Sequence, residues 1–343
     1  MFAYVILAAV THAFNLDLSK VELHTWSKNI IIPLAILLVM SALSFRQLKI
    51  IGFRPILVFV FGSFIIAISA PLLVLLSTFF SETLHQIIIE EGYWKGLSTI
   101  VGSWIGGSTS QLVLKEVAEC PDGLFLAILV LDNILVNIWT ILMFQKIKRS
   151  DQLNDYFGIE DKIEDFFPDE VEINVNKLQP VLVTIGSCIL VLILCHFFLI
   201  ESFLMKIVIL SFAGLVLGNF IRIWNHGLVL KIGGILILLI MAILGLKLNF
   251  STFSIPLPIV GFTVVWLVLH YIFMMFLARK IKLHMAWVPI ASMANLGGIS
   301  TAPAVTAAYN EEWMPHAIVL AILSMVTGTA WGLLTIFLFQ QMV

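Results

Sequence analysis

The chain has 343 residues, 60% of them hydrophobic and 12% charged, with a net charge of -2 and a mean hydropathy of +1.06. Soluble domains carry about 25% charged residues, so a soluble globular fold is excluded. Continuous apolar runs of about 18 residues or more recur from end to end, where a transmembrane β-barrel would alternate; the fold class is therefore an all-α polytopic membrane protein.

Taken in order, Phe2–Phe14 is apolar but short for a span, and Asp17, Lys20, Glu22 and His24 break it. Met1–Phe14 lacks a charged n-region and a small-residue cleavage site, so it does not read as a signal peptide. Asn29–Phe45 continues a span that starts near Trp26, and Arg46, Lys49 and Arg54 form a basic loop. Pro55–Phe80 is a long span, followed by an acidic loop with Glu82, His85, Glu90 and Glu91. Trp94–Val117 is a glycine-containing segment, and Leu124–Phe144 a span ending at Lys146, Lys148 and Arg149.

Ser150–Lys177 is the long hydrophilic region and holds nine acidic residues. It reads as a solvated linker between two halves. Further spans are expected at Pro180–Ile200, Phe203–Ile223, Leu228–Leu248 and Pro256–Leu277, then a basic run at Arg279, Lys280 and Lys282. A second glycine-containing segment, Met285–Tyr309, precedes a last span, Pro315–Phe339. Pro33, Pro55, Pro71 and Pro256 read as boundary or kink residues. Cys120, Cys188 and Cys195 are odd in number and lack metal spacing, so apolar packing is their expected role.

Two stretches stand apart from this apolar background: Trp104-Ile105-Gly106-Gly107-Ser108-Thr109-Ser110-Gln111, and Asn295-Leu296-Gly297-Gly298-Ile299-Ser300-Thr301-Ala302-Pro303-Ala304. Glycine and proline interrupt a helix and free backbone polar groups. In hydrocarbon each such group costs several kcal/mol, so both stretches must be buried in protein or line a wet cavity. Interrupted apolar segments at corresponding places in two halves point to a transporter substrate site.

The halves also match elsewhere. His24–Leu48 lies over His226–Phe250, and Leu126–Gln145 over Leu320–Gln340 with one gap. Both halves run in the same order: matched span, second span, Gly-Gly segment, matched span. The expected domains are residues 1-149 as a first membrane repeat, 150-178 as an acidic cytoplasmic linker, and 179-343 as a second membrane repeat. The second repeat has two spans before its matched segment and the first has only Phe2–Phe14. Either the first repeat lacks a helix or the chain lacks an N-terminal span, and the second reading is preferred.

Charge placement bears on topology. With the Arg46/Arg54 loop inside, Lys146, Lys148, Arg149, Arg222 and Arg279–Lys282 also fall inside if both Gly-Gly segments dip in and return. That predicts two inverted-topology repeats, each with a broken or re-entrant Gly-Gly segment, and nine full crossings.

Asp132 lies mid-span. A carboxylate at the bilayer centre costs at least about 2.5–3.5 kcal/mol, so it needs a partner, a cavity or an ion. Asn133 and Asn137 lie close by in sequence, four apart on one helical face. Oxygen ligands suit a hard cation such as sodium, and a desolvated carboxylate can also take a proton. Asp132, Asn133 and Asn137 are thus coupling-ion candidates, with a structural carboxylate as the bland alternative. The matching place in the second half holds Thr327 and Thr329, as ligands or as close helix packing. Substrate-binding candidates are Gly106, Gly107, Ser108, Thr109, Ser110, Asn295, Gly297, Gly298, Ser300 and Thr301. Their alternative is small-residue packing. Half-helix N-termini carry partial positive charge, which suits an anionic group. Lys115, Glu116 and Glu119 are expected at an interface. His12, His196 and His270 are read as interfacial or packed. No Walker lysine, HExxH, Cys/His cluster or Ser/His/Asp pattern occurs, so no enzyme, catalytic residue or metal is expected.

These motifs, with Leu131-Asp132-Asn133, resemble the YjcL-like family of integral membrane proteins, an uncharacterised family of bacteria and plants. The resemblance covers essentially the whole chain. It implies a bacterial inner-membrane location and one more N-terminal span. It also implies Asn where this chain has Ser110, which takes weight from Ser110 as a ligand. More distantly, the twin Gly-Gly motifs resemble those of sodium/glutamate and 2-hydroxycarboxylate symporters. The function expected is an ion-coupled secondary transporter of a small organic solute, with sodium or a proton as coupling ion. No cofactor is expected beyond a coupling sodium ion. The expected partners are the lipid bilayer and the solute, with a homodimer left open and no nucleic acid. A channel, or a scaffold or sensor acting through the acidic linker, is the alternative.

Overall fold

The computed structural model describes residues 22–45, 51–79, 81–160, 178–197, 202–245 and 255–343. Leu23–Trp26, a π-helical turn at Ser27–Ile31 and Ile32–Ser41 run on as one helix, α1. Pro33 follows that turn; a proline has no N–H for the preceding carbonyls, and a widened turn accommodates the loss. Then come α2 (Phe53–Ser77), α3 (Glu82–His85, extended by a π turn at Gln86–Glu90), α4 (Tyr93–Val117), α5 (Asp122–Ile147) and α6 (Ser150–Phe157). The second half holds α7 (Leu178–Phe197), α8 (Phe203–Phe220), α9 (His226–Gly245) and α10 (Leu257–Lys280). It closes with α11 (Trp287–Leu296), α12 (Gly298–Ala307), a 3₁₀ turn (Glu311–Trp313) and α13 (Met314–Gln340).

Among the described residues every regular element is helical, and six helices are long and apolar enough to cross a membrane: α2, α5, α7, α8, α10 and α13. The apolar helices Ser27–Ser41 and His226–Ile240 are shorter. Eight of the nine expected crossings thus fall on helices; the ninth, Phe2–Phe14, lies outside the described residues, as do Arg46, Lys49 and residues 161–177 of the linker. The chain is a multi-pass membrane protein in contact with lipid. The stretch read as the linker starts with a helix, Ser150–Phe157, closed by Gly158 at φ 62.

Two compact units interleave along the chain. One comprises Met1–Phe45, Pro121–Leu126 and Val171–Phe253, the other Arg46–Cys120, Ala127–Glu170 and Ser254–Val343. Each unit therefore draws helices from both sequence halves.

In the first unit α1 packs on α8 and α9. A Cβ on Gly214 would stand 2.6 Å from the Leu37 carbonyl oxygen, so α8 approaches the α1 backbone directly. Leu37, Leu38, Cys188, Cys195, Leu210, Trp224 and Val229 form the core between these helices and α7. The cysteines pack as apolar groups, and no disulfide joins them. The last carbonyls of a helix lack intrahelical partners. At the end of α1 they find side chains: Trp224 Nε1 donates to Ser41 O (3.0 Å), Asn219 Nδ2 to Leu43 O (2.9 Å), and His226 Nδ1 lies 3.2 Å from Ala42 O.

In the second unit α4 packs most closely on α13, and α2 packs on α10, α11 and α13. A Cβ on Gly328 would strike the backbone of Gly106, and one on Gly332 would strike Leu114. Tight backbone approach is the means by which membrane helices gain dispersion contacts without a hydrophobic driving force. Polar cross-links reinforce the bundle. Trp266 Nε1 donates to Ile66 O (3.1 Å), Thr335 Oγ1 to Ala67 O (2.8 Å) and Trp139 Nε1 to Ser292 Oγ (3.0 Å).

Candidate functional site

The 25 residues of α4 are not one straight helix. Gly107 has φ 68 and ψ -167, a conformation open to glycine and strained for other residues. A Cβ built on Gly102 would lie 2.8 Å from the Gln111 amide nitrogen and 2.7 Å from Leu114 Cδ1. Positions nine and twelve residues on would be about 14 and 18 Å away along a straight helix. The two arms of α4 therefore fold back on each other about Gly107.

The second Gly-Gly pair makes a similar break. α11 ends at Leu296, and α12 begins at Gly298, whose φ is 61. Two local features recur at both pairs. The first glycine of each pair is covered by a hydroxyl four residues on: Ser110 Oγ over Gly106, and Thr301 Oγ1 over Gly297. The second glycine of each pair, Gly107 or Gly298, has open space where a Cβ would point.

One side chain of α13 joins the two breaks. Ser324 Oγ donates to the carbonyl of Ile105, just before the first pair, and lies 3.2 Å from Oδ1 of Asn295, just before the second. Asn295 is 1% exposed; its Oδ1 also accepts from Ser63 Oγ (3.0 Å), and its Nδ2 donates to Phe59 O at 3.4 Å. Thr329 Oγ1 donates to Ser110 Oγ at 3.0 Å, a second tie between α13 and the first break. Thr109, 5% exposed, and Thr301 each carry a buried hydroxyl with no hydrogen-bond partner. Such an atom costs roughly 1–3 kcal/mol unless something else satisfies it. Ser108 is half-buried. Ser300 lies in the first turn of α12, and its side chain is outside the described residues.

Asp132 is 3% exposed and meets α4 alone among the hydrogen-bond partners it has. Its Oδ2 accepts from Ser103 Oγ (2.5 Å) and from Gln111 Nε2 (3.5 Å), and its Oδ1 from Trp104 Nε1 (2.7 Å). Ser103 and Trp104 stand on the arm before Gly107 and Gln111 on the arm after it, so one carboxylate ties both arms. Trp104 is fully buried and stacks against Trp266, ring centroids 4.6 Å apart.

The other expected coupling-ion residues are placed differently. Asn133 Nδ2 donates to Leu129 O (2.6 Å) and Asn137 Nδ2 to Asn133 O (2.8 Å), each along its own helix, and Asn137 is exposed. Thr327 Oγ1 likewise donates to Leu323 O at 3.0 Å. At 100° per residue, Asn133 and Asn137 cannot share the face of Asp132. The residues missing from the sequence-derived set are Ser103 and Trp104 around Asp132, and Ser63 and Ser324 around Asn295; Gln111 belongs to the first Gly-Gly stretch, where nothing in the sequence links it to Asp132. A lone serine in an apolar span reads as packing, so only Gln111, inside a polar run, carried a signal.

Lys115 is buried, with its ammonium 3.3 Å from Glu116. His270 is buried as well, with Nδ1 3.2 Å from Gly62 O and Nε2 3.3 Å from Ser292 Oγ.

A second polar cluster lies where α6 meets the turns around α12. Asn154 Oδ1 accepts from Met285 N (2.8 Å), and Tyr309 OH donates to Asp151 Oδ1 (2.5 Å) beside His284 Nε2 (3.4 Å). Burial first, then the hydrogen bond and negative charge of Asp151, push the Tyr309 phenol above its ordinary value of 10.0. The unfolded chain loses this proton at the ordinary value and the folded chain only at higher pH. The stabilisation is therefore complete below pH 10 and lost as pH rises beyond it. Tyr309→Phe is expected to lower the unfolding midpoint in detergent at neutral pH and to flatten its alkaline decline. An unchanged alkaline decline would contradict the assignment.

The helices and the paired breaks define an all-helical, multi-pass membrane protein with an internal polar site. A model of the protein family of unknown function DUF819 matches residues 1–342. The chain belongs to that family, in agreement with the resemblance read from its motifs. No curated protein and no solved structure matches it.

Proposed function

We propose that the protein is an ion-coupled secondary transporter of a small, anionic organic solute, working by alternating access. The observation that carries this reading is the pair of like breaks, at Gly106-Gly107 and Gly297-Gly298, joined at Ser324. Interrupted helices at membrane depth are tolerated only where they are buried or line a cavity, and a pair of them at corresponding places is the usual layout of a carrier site.

Element order supports two repeats: α1, α2, α4 and α5 correspond to α9, α10, α11 with α12, and α13. Re-entry of both broken segments gives the repeats opposite orientation. The unpartnered hydroxyls of Thr109 and Thr301, beside Ser108, Ser110 and Ser300, are the solute contacts in this reading. The helical turns that begin after Gly107 and Gly298 add N–H donors and partial positive charge, which suit a carboxylate. Asp132 holds the coupling ion.

A thermal-stability screen of the full chain in detergent tests this. The panel is mono-, di- and tricarboxylates, in sodium and in potassium buffers across pH. A ligand present at 100 times its Kd adds about 2.7 kcal/mol. At least one carboxylate is expected to raise the unfolding midpoint in an ion- or pH-dependent manner, and Asp132→Asn to remove that dependence. No shift with any ion or solute, in a folded sample, favours a structural Asp132 and a scaffold or sensor.

A further inference from the structure

We infer that the coupling ion is a proton taken up by Asp132, which acts by loosening the tie between the two arms of α4. The inference rests on the transporter reading above and specifies its ion.

A sodium ion needs several oxygen ligands, by analogy with other hard cations. The groups bonded to Asp132 are a serine hydroxyl, an indole N–H and an amide N–H. An indole nitrogen donates only, and Trp104 Nε1 points that donor at Oδ1. Asn133 and Asn137 point away from Asp132, at about 100° and 140° around α5, and their amide N–H groups, like the Thr327 hydroxyl, donate along their own helices. Both carboxylate oxygens thus face donors, an arrangement that holds a negative charge and, among these three partners as they are oriented, offers a metal cation the Ser103 hydroxyl oxygen alone.

A proton fits the same cage. As the three partners are oriented, with Gln111 presenting Nε2 and an indole that only donates, Ser103 Oγ is the one that accepts a hydrogen bond from a protonated carboxyl. Protonation therefore reverses the Ser103 bond and turns the Trp104 and Gln111 bonds from charge-assisted to neutral, at roughly half the strength. The Gln111 contact, already 3.5 Å long, is the weakest, and it alone binds the arm that begins after Gly107. Gaining or losing one proton thus changes how firmly that arm, with Ser108, Thr109 and Ser110, is held.

Among the described residues, the helices around Asp132 bring no charged side chain to hydrogen-bond distance of it. Between Asp122 and Lys146, α5 carries no other ionisable side chain. On α4 the nearest are Lys115 and Glu116, which pair with each other. α13 offers only His316; α11 and α12 offer none. On α10, His270 is engaged with Gly62 and Ser292, Tyr271 meets Trp139 edge-on, and Arg279 and Lys280 lie in the last turn. α2 offers only Arg54, at its start. With no cationic partner beside it among the described residues, a solute anion and a charged Asp132 would repel, so uptake of one negative charge calls for uptake of one positive charge.

The test is pH-difference infrared spectroscopy of the full chain in detergent, in sodium and in potassium at equal ionic strength. The expected result is a protonated-carboxyl band that grows as pH falls, is the same in both salts and is absent from Asp132→Asn. The Trp104 indole N–H band is expected to move with the same midpoint. If Asp132→Asn does not fold, labelling the wild type with a hydrophobic carbodiimide and mapping the modified peptide assigns the band. Absence of a band from Asp132 throughout the pH range of the folded protein, or its removal by sodium at constant pH, overturns the proposal. Solute stabilisation without a proton signal rejects the proton and keeps the carrier. A proton signal with no solute acting keeps the protonation and its effect on α4, and removes the carrier.

Discussion

Gly328→Val is expected to destabilise the protein by about 3 kcal/mol or more, at the upper end of overpacking effects. The reason is the identity of what the new side chain meets. A Cβ at position 328 falls on the Gly106 backbone and lies 2.9 Å from the Ile105 carbonyl carbon. No flexible side chain is there to move aside. The helices would have to separate, breaking the Ser324 and Thr329 bonds that tie α13 to the first break. Gly261→Ala on α10 is the control: nothing lies within 4 Å of its added carbon, and helix propensity alone predicts a gain of about 1 kcal/mol. Unfolding midpoints in detergent measure both. A Gly328→Val protein as stable as wild type would mean that the α4–α13 approach is looser than described.

Asp132→Leu is expected to cost about 4 kcal/mol. Leucine restores an apolar residue to an apolar helix, and hydropathy alone would predict a gain. The partners decide otherwise. The Trp104 indole and the Gln111 amide, 0% and 1% exposed, would each lose their acceptor, and a buried unsatisfied donor costs about 1–3 kcal/mol. Asp132→Asn keeps an acceptor oxygen and is expected to cost only about 1 kcal/mol, the usual size of one net hydrogen bond. The double variant Asp132→Leu/Trp104→Phe should recover part of the loss, since the orphaned donor is then gone. A purely additive result would show that the two side chains are not coupled. Denaturant or thermal unfolding of wild type, Asp132→Leu, Asp132→Asn, Trp104→Phe and the double variant in parallel supplies the comparison.

Much of the architecture was legible in the chain because hydropathy acts locally. The expected span Pro315–Phe339 and the observed Met314–Gln340 differ by one residue at each end. The bilayer requirement of about 20 apolar residues leaves little freedom in where such a segment starts and stops. The Gly-Gly pairs were legible for a related reason: glycine in an apolar helix stands out, and Gly107 and Gly298 do take positive φ. Asp132 was conspicuous because a lone carboxylate in a span demands an explanation.

Its surroundings were not legible. Asn133 and Asn137 are near Asp132 in sequence, but each satisfies its amide on its own helix, at the i-4 carbonyl. The true partners, Ser103, Trp104 and Gln111, reach one carboxylate only because α4 folds back at Gly107. The start of the acidic linker holds a long-range contact of the same kind. Its polarity reads as a solvated linker, and within it Asn154 accepts the Met285 N–H, a bond that no local pattern announces.

The sequence by itself determined the class of protein, the positions of the spans and the two points where helices break. All of these follow from local composition and from the cost of unsatisfied backbone in hydrocarbon. The tertiary structure alone decided that the two breaks meet at Ser324, that Asp132 ties the arms of α4, and that the compact units cut across the sequence halves. These depend on which distant groups come within hydrogen-bond reach, and buried donors and acceptors must be paired wherever along the chain their partners lie.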